Sequence, residues 1–273
     1  MASRLFQSVL KNLERGGSPG LRRRGWKLLY NILGRHWRDD DWRFMNYGYL
    51  PEEPFPLEAE DEADRPFIGL YDHVARGLPL EDAAVLEIGS GRGGGARYVA
   101  RYFEPASVLG LDFSPTAVER AKRINGDAPN LAFEVGDAEA LDIPDASFDI
   151  VLNVESSHCY GDVSAFVAEA WRVLKPGGYL GWADMRSKSM EQETEQLFLA
   201  QGFEIERVET LSPGVVRALD AADAAKRAQI GKVWLFKRFM NEFAGTKGSL
   251  LYRGLQTGSV VYMSRRFRKP ISP

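Results

Sequence analysis

From Val85 onward, apolar runs of strand length alternate with stretches whose apolar positions recur at helical spacing. The strand candidates are Val85-Leu86-Glu87-Ile88, Val108-Leu109-Gly110-Leu111-Asp112, Leu131-Ala132-Phe133-Glu134-Val135 and Phe148-Asp149-Ile150-Val151-Leu152-Asn153, followed by residues 179–184, 203–208 and 259–264. Between them, Ala96, Val99, Ala100 and Phe103 share one helical face, and Ala117, Val118, Ala121 and Ile124 another. The second of these helices has Ser114-Pro115 as its start, a side-chain cap followed by a residue whose missing N–H costs nothing there. A third carries Phe166, Val167, Ala170, Val173 and Leu174 and stops at Pro176-Gly177. This alternation of strand and helix predicts an α/β fold with parallel strands joined by crossover helices.

The ends depart from this rhythm. Residues 212–247 read as helix, with Val233, Trp234, Phe236, Phe239, Met240 and Phe243 on a broad apolar face, and only then does the last strand follow. The first fifty residues hold Trp26, Trp37 and Trp42 and close on Phe44-Met45-Asn46-Tyr47-Gly48-Tyr49. Within them, Arg22-Arg23-Arg24 precedes Trp26, Leu28, Leu29, Tyr30, Ile32 and Leu33, the pattern of an amphipathic helix with a basic face. Residues 51–66 mix acids with prolines and predict an exposed loop. The resulting division is a helical, aromatic cap with its acidic loop at 1-66, a core at 67-211, a helical lid insertion at 212-247 and a C-terminal strand completing the core at 248-273.

The first strand runs into the turn Glu87-Ile88-Gly89-Ser90-Gly91-Arg92-Gly93-Gly94. Two spellings overlap there. Gly89, Gly91 and Gly94 satisfy the dinucleotide pattern, whereas Glu87, Gly89, Gly91 and Gly93 satisfy an acid followed by three alternating glycines. Both serve one physical end, because a turn without Cβ atoms lets a ligand lie against backbone amides at a helix N-terminus. Asp112 ends the second strand about twenty residues on, where a doubly wound fold sets an acid against ribose hydroxyls.

The third strand ends in Gly136-Asp137-Ala138, and Leu174-Lys175-Pro176-Gly177-Gly178 precedes the fifth. In this order the motifs resemble those of class I S-adenosylmethionine (SAM) dependent methyltransferases, over roughly residues 80 to 185. The resemblance implies a Rossmann-like sheet of seven strands, mostly parallel with the last antiparallel, and helices on both faces. It assigns Glu87, Gly89, Gly91 and Gly93 to the methionine end of the cofactor, Asp112 to the ribose, Phe113 to a flank of the adenine, and Asp137 with Ala138 to its amino edge. Asn153 at the end of the fourth strand and Tyr47 in the N-terminal extension complete the expected cofactor set. Asn46-Tyr47-Gly48-Tyr49 also resembles the corresponding part of bacterial methyltransferases of polyketide lipids and fatty acids, such as the phthiotriolone dimycocerosate enzymes.

The loop after the fourth strand, Asn153-Val154-Glu155-Ser156-Ser157-His158-Cys159-Tyr160, lies where open α/β sheets bind ligands, beyond the carboxyl ends of their strands. His158 there and Asp184 at the end of the fifth strand are similar to the dyad of rebeccamycin-type sugar O-methyltransferases. They are the candidate catalytic pair, the aspartate orienting the imidazole that takes a proton. Glu155 is the alternative base, and catalysis by alignment alone is a further option.

Composition narrows the partners. A chain of 273 residues with 44% hydrophobic content and a net charge of -3 has an ordinary core and no general affinity for nucleic acid. No run is long enough to span a bilayer and no signal peptide opens the chain, so a cytoplasmic location is expected, without integral membrane association. The single cysteine, Cys159, allows no intrachain disulfide, and it and three scattered histidines offer no metal site. The expected partner is a small-molecule acceptor from secondary metabolism, a homo-oligomer being left open. O-methylation of a partly apolar hydroxyl compound leads. C-methylation of a polyketide, terpenoid or indole-type acceptor and a non-catalytic binding role follow.

Overall fold

The computed structural model describes residues 43–126, 128–231 and 237–271. The basic cluster Arg22-Arg23-Arg24, Trp26, Trp37, Trp42 and the expected N-terminal helices lie outside the described residues, as do Val233, Trp234, Phe236 and the side chain of Phe239 in the expected lid.

Seven strands make one sheet: β1 (Ala84–Ile88), β2 (Ser107–Asp112), β3 (Leu131–Val135), β4 (Phe148–Val154), β5 (Leu174–Ser187), β6 (Glu204–Thr210) and β7 (Val260–Arg268). Their order is β3-β2-β1-β4-β5-β7-β6, with β7 antiparallel to both neighbours and the remaining pairs parallel. The order in which strands are added therefore switches sides between β1 and β4, and ligands collect beside that switch point.

Because side chains alternate along a strand, each inner strand feeds two cores. Val85, Ile150, Leu152 and Tyr262 face one side, where they meet α1 (Arg65–Ala75), α2 (Gly94–Tyr102), α3 (Pro115–Asn125), α6 (Ser212–Gly231) and α8 (Leu250–Thr257). Leu86, Val151, Leu180 and Phe267 face the other, against α4 (Val163–Val173) and α5 (Glu191–Gln201). Near-continuous burial of β4 is what a strand covered on both faces requires. The helices start and stop on local signals. Ser114 accepts the Ala117 amide with Pro115 behind it, Asp162 accepts the amides of Ser164 and Ala165, and α5 ends on Gly202 at φ 110°.

On the second face Phe198 is wholly buried and stacks on Phe267 with ring centroids 4.2 Å apart. Phe198→Ala should lower stability by about 3–5 kcal/mol in urea titration, the usual cost of emptying an aromatic core site. SAM binding of the folded fraction should persist, since the site lies elsewhere.

Residues 51–66 differ from the exposed loop expected. Phe55 is buried, and residues Ala59–Asp64 form a 3₁₀ turn whose Asp61 is 3% exposed. The reason is charge pairing across space. Asp61 accepts from Arg97, Arg101 and the Tyr102 hydroxyl of α2, and Arg43 lies 3.6 Å from it. The helical segment after β6 also runs further than residue 247: α6 is followed by α7 (Lys237–Phe243) and then α8, which packs beside β7. Among the described residues, no helix is long and apolar enough to cross a membrane.

Candidate active site

At the carboxyl ends of β1, β2 and β4 the sheet opens into a cavity of about 200 Å³. Gly89 and Gly91 of the first turn line it, with Asp112 and Phe113 from the end of β2 and Asp137 and Ala138 after β3. The sequence separates these six residues by up to about fifty positions, and the parallel register of β1, β2 and β3 brings them to one rim.

The turn needs glycine on two separate grounds. Gly89 and Gly93 both have positive φ, 80° and 82°. A Cβ at Gly89 would lie 2.4 Å from Ser156 Oγ, and one at Gly93, the N-cap of α2, 2.4 Å from the Phe133 ring. Gly91 keeps the backbone bare toward the cavity, its amide donating to Asp112 Oδ2 at 2.9 Å. Asp112 Oδ1 takes the Ser114 amide at 2.8 Å. Each carboxylate oxygen has a second lone pair, so the acid is oriented yet retains capacity for hydroxyl donors. Burial raises its pKa, and the two amides oppose that rise.

The remaining expected residues stand behind this rim. Glu87 is wholly buried and takes the Tyr71 hydroxyl on Oε1 at 2.7 Å, while its Oε2 completes no well-formed hydrogen bond. Burial lifts it to about 7, against the Tyr71 hydroxyl and the Ala96 amide, which favour its charge. Asn153 is also fully buried. Its amide donates to Ile88 O at 2.9 Å, Ser156 Oγ at 2.8 Å and Tyr160 Oη at 2.9 Å, bracing the glycine turn from below rather than lining the cavity. Tyr47 is likewise not a lining residue, although its neighbours Phe44, Met45 and Asn46 are.

His158 and Asp184 do meet, Nδ1 to Oδ1 at 2.7 Å. Asp184 is wholly buried and also accepts the Ser157 hydroxyl at 2.5 Å and the His158 amide at 2.8 Å, with Arg186 at 3.1 Å. Burial alone would raise this carboxyl, but the charges of His158 and Arg186 outweigh it and hold Asp184 below its usual range. Burial likewise opposes charge on the His158 ring. Cys159 and Asp184 beside it outweigh that, and the imidazole is held well above its ordinary value. The ring retains 16% side-chain exposure and stands next to Cys159, which lines the cavity with Glu155, Ser156 and Tyr160.

Sequence reasoning placed Phe44 and Met45 only within the aromatic run ahead of the core, and did not find Tyr71 or the Arg186 support of Asp184. Tyr71 had a signal in the apolar spacing of α1 just before the first strand. The Arg186–Asp184 pair is visible only in three dimensions. Among the described residues, no group of three or more histidine, cysteine or acidic side chains is arranged to hold a metal ion.

The donor set fits a nucleoside-bearing cofactor: bare backbone at a helix start, one oriented carboxylate for hydroxyls and a second after β3 for a base edge. Residues 86–181 match the methyltransferase domain family. A phthiotriol/phenolphthiotriol dimycocerosates methyltransferase of Mycobacterium tuberculosis is 36% identical over 97% of this chain and 99% of its own. A fatty-acid O-methyltransferase of Mycolicibacterium smegmatis is 35% identical over 89% of each chain. Among solved structures, the [4+2]-cyclase SpnF superposes with a TM-score of 0.72 at 21% identity, covering 90% of this chain and 95% of that one.

Proposed function

Since the chain belongs to the SAM-dependent methyltransferases, we propose that it transfers the methyl group to a hydroxyl of a long, largely apolar small molecule of lipid or polyketide kind. The observation that carries this reading is the apolar part of the cavity lining. Lining the same cavity as the cofactor residues are the apolar side chains Phe44, Met45 and Phe243, with Glu155, Cys159 and Tyr160 as polar groups. An apolar wall with a few convergent polar groups suits an acceptor that is mostly hydrocarbon with one reacting hydroxyl. The relatives point the same way, being named for dimycocerosate and fatty-acid substrates.

The cofactor, when bound, supplies a methyl group on a positively charged sulfur. In this chain Gly89, Gly91 and Gly93 would shape the seat of its methionine end above Glu87, Asp112 would hold the ribose hydroxyls, and Phe113, Asp137 and Ala138 would enclose the base. The enzyme's remaining work is alignment, exclusion of water and disposal of the acceptor's proton. His158, oriented by Asp184, is the group proposed to receive that proton.

Incubation of the purified protein with labelled SAM and a fractionated lipid and polyketide extract, followed by mass spectrometry, tests the reading. The expected product carries its new methyl on oxygen. A product methylated on carbon would replace O- by C-methylation, and cofactor binding without turnover on any fraction would leave a binding protein.

A further inference from the structure

Glu155 stands where four parts of the chain meet. It follows β4 at φ 51°, in the left-handed region that disfavours a residue with a Cβ, and its amide donates to Ala183 O of β5 at 2.7 Å. Its carboxylate receives the Tyr47 amide on both oxygens, at 3.1 and 2.9 Å, and the hydroxyl of Tyr262, wholly buried in β7, on Oε2 at 2.5 Å. Tyr47 carries the connection outward. Its hydroxyl donates to the carbonyl of Phe243 at 2.9 Å, and its ring packs where a Cβ on Gly245 would come within 3.1 Å. Lys226 of α6 fastens the next carbonyl, Ala244 O, at 3.1 Å, and its ammonium lies 5.7 Å from the centroid of Tyr47 and 5.9 Å from that of Phe67. The segments joined in this way, residues 43–46 and Phe243, are cavity wall.

We propose that Glu155 is a positioning residue which, through Tyr47, fastens residues 43–47 and the end of α7 over the acceptor side of the cavity, and so governs how tightly an acceptor is held. The proposal rests on the methyltransferase reading and deepens it. A role as base fits the geometry less well. Three of the four lone pairs of Glu155 are already engaged by Tyr47 and Tyr262, and taking a proton would weaken that hold.

The latch has a pH dependence. Burial lifts the Glu155 carboxyl to about 7. The Tyr262 and Tyr47 hydrogen bonds and the charge of His158 act the other way, while Asp184 adds slightly to the rise. Lys226 from α6 and Tyr71 from α1 also face it. Above pH 7 the carboxylate holds both donors with full charge. Below it the protonated carboxyl holds them weakly, because charge-assisted hydrogen bonds are the stronger kind.

Hydrogen–deuterium exchange on the full chain, corrected for the intrinsic pH dependence of exchange, tests this directly. Glu155→Ala should speed exchange at least tenfold in peptides covering residues 43–50 and 240–247. Wild-type protection of these peptides should fall as pH drops from 8 to 6. Glu155→Gln, which keeps an acceptor oxygen but has no charge to lose, should show intermediate protection without that pH step. With a long-chain secondary alcohol and a long-chain fatty acid as acceptor probes, the Ala variant should show its defect mainly in KM, and Gln should recover part of it. Unchanged exchange in Glu155→Ala, or loss of kcat in Glu155→Gln with normal protection, would overturn the latch. If neither probe is methylated by any form, the acceptor assignment fails while the exchange arm still decides the role of Glu155.

Discussion

Asp112→Ala is expected to weaken SAM binding by about two to four orders of magnitude, measured by calorimetry with SAM or its demethylated product. Two hydroxyl hydrogen bonds to a carboxylate are worth about 1.5–3 kcal/mol each, and a factor of ten in affinity is about 1.4 kcal/mol. The structure adds a second contribution, because Asp112 also receives the amides of Gly91 and Ser114 and so shapes the turn that carries the ligand. Asp112→Asn separates the two. It keeps an acceptor oxygen for one amide but removes the charge, so its loss should fall between wild type and Ala. An affinity within threefold of wild type in the Ala variant would remove Asp112 from the cofactor site.

Much of this site was legible before the structure, for a physical reason. Cofactor residues of a doubly wound fold occupy strand ends, and strand ends are marked by a change from apolar run to Gly, Asp or Ser. Gly89, Gly91 and Asp112 could thus be placed on one rim by counting strands, while Phe113, Asp137 and Ala138 were singled out by the family resemblance; the cavity lining brings all six together. The parallel strands were legible on the same ground, whereas the antiparallel last strand was implied only by the family resemblance; the pairing of β7 with β5 displays it over nine residues from Tyr179↔Arg268 to Ser187↔Val260.

What stayed hidden are contacts between segments far apart in sequence. Nothing in the run of acids over residues 51–66 says that Asp61 will be buried among Arg97, Arg101 and Tyr102, since a charge pattern reads as solvated unless its partners are known. Tyr262 reads as a strand residue, and only the antiparallel insertion of β7 beside β5 carries its hydroxyl to Glu155, 107 positions away. Glu155 was visible as a loop acid; its hold on Tyr47 was not.

His158→Ala is expected to reduce turnover by about two to four orders of magnitude with SAM affinity nearly unchanged, the usual size of a general-base contribution. The pH profile carries the sharper test. Asp184 and Cys159 hold the imidazole above its ordinary value of 6.5, so the ring stays protonated to higher pH than a free histidine. A base must be unprotonated, and the rising limb of kcat/KM should therefore lie above pH 6.5. Linkage gives the same sign for stability: the pair's contribution is full below 6.5 and is lost as pH climbs through the raised value. Asp184→Asn removes the charge that favours the imidazolium while keeping much of the shape. Its rising limb should move to lower pH as turnover falls, because the ring deprotonates more readily but stabilises the proton it accepts less well. A vigorous His158→Ala enzyme with the wild-type profile would exclude the dyad and leave alignment of acceptor and methyl group as the main source of rate.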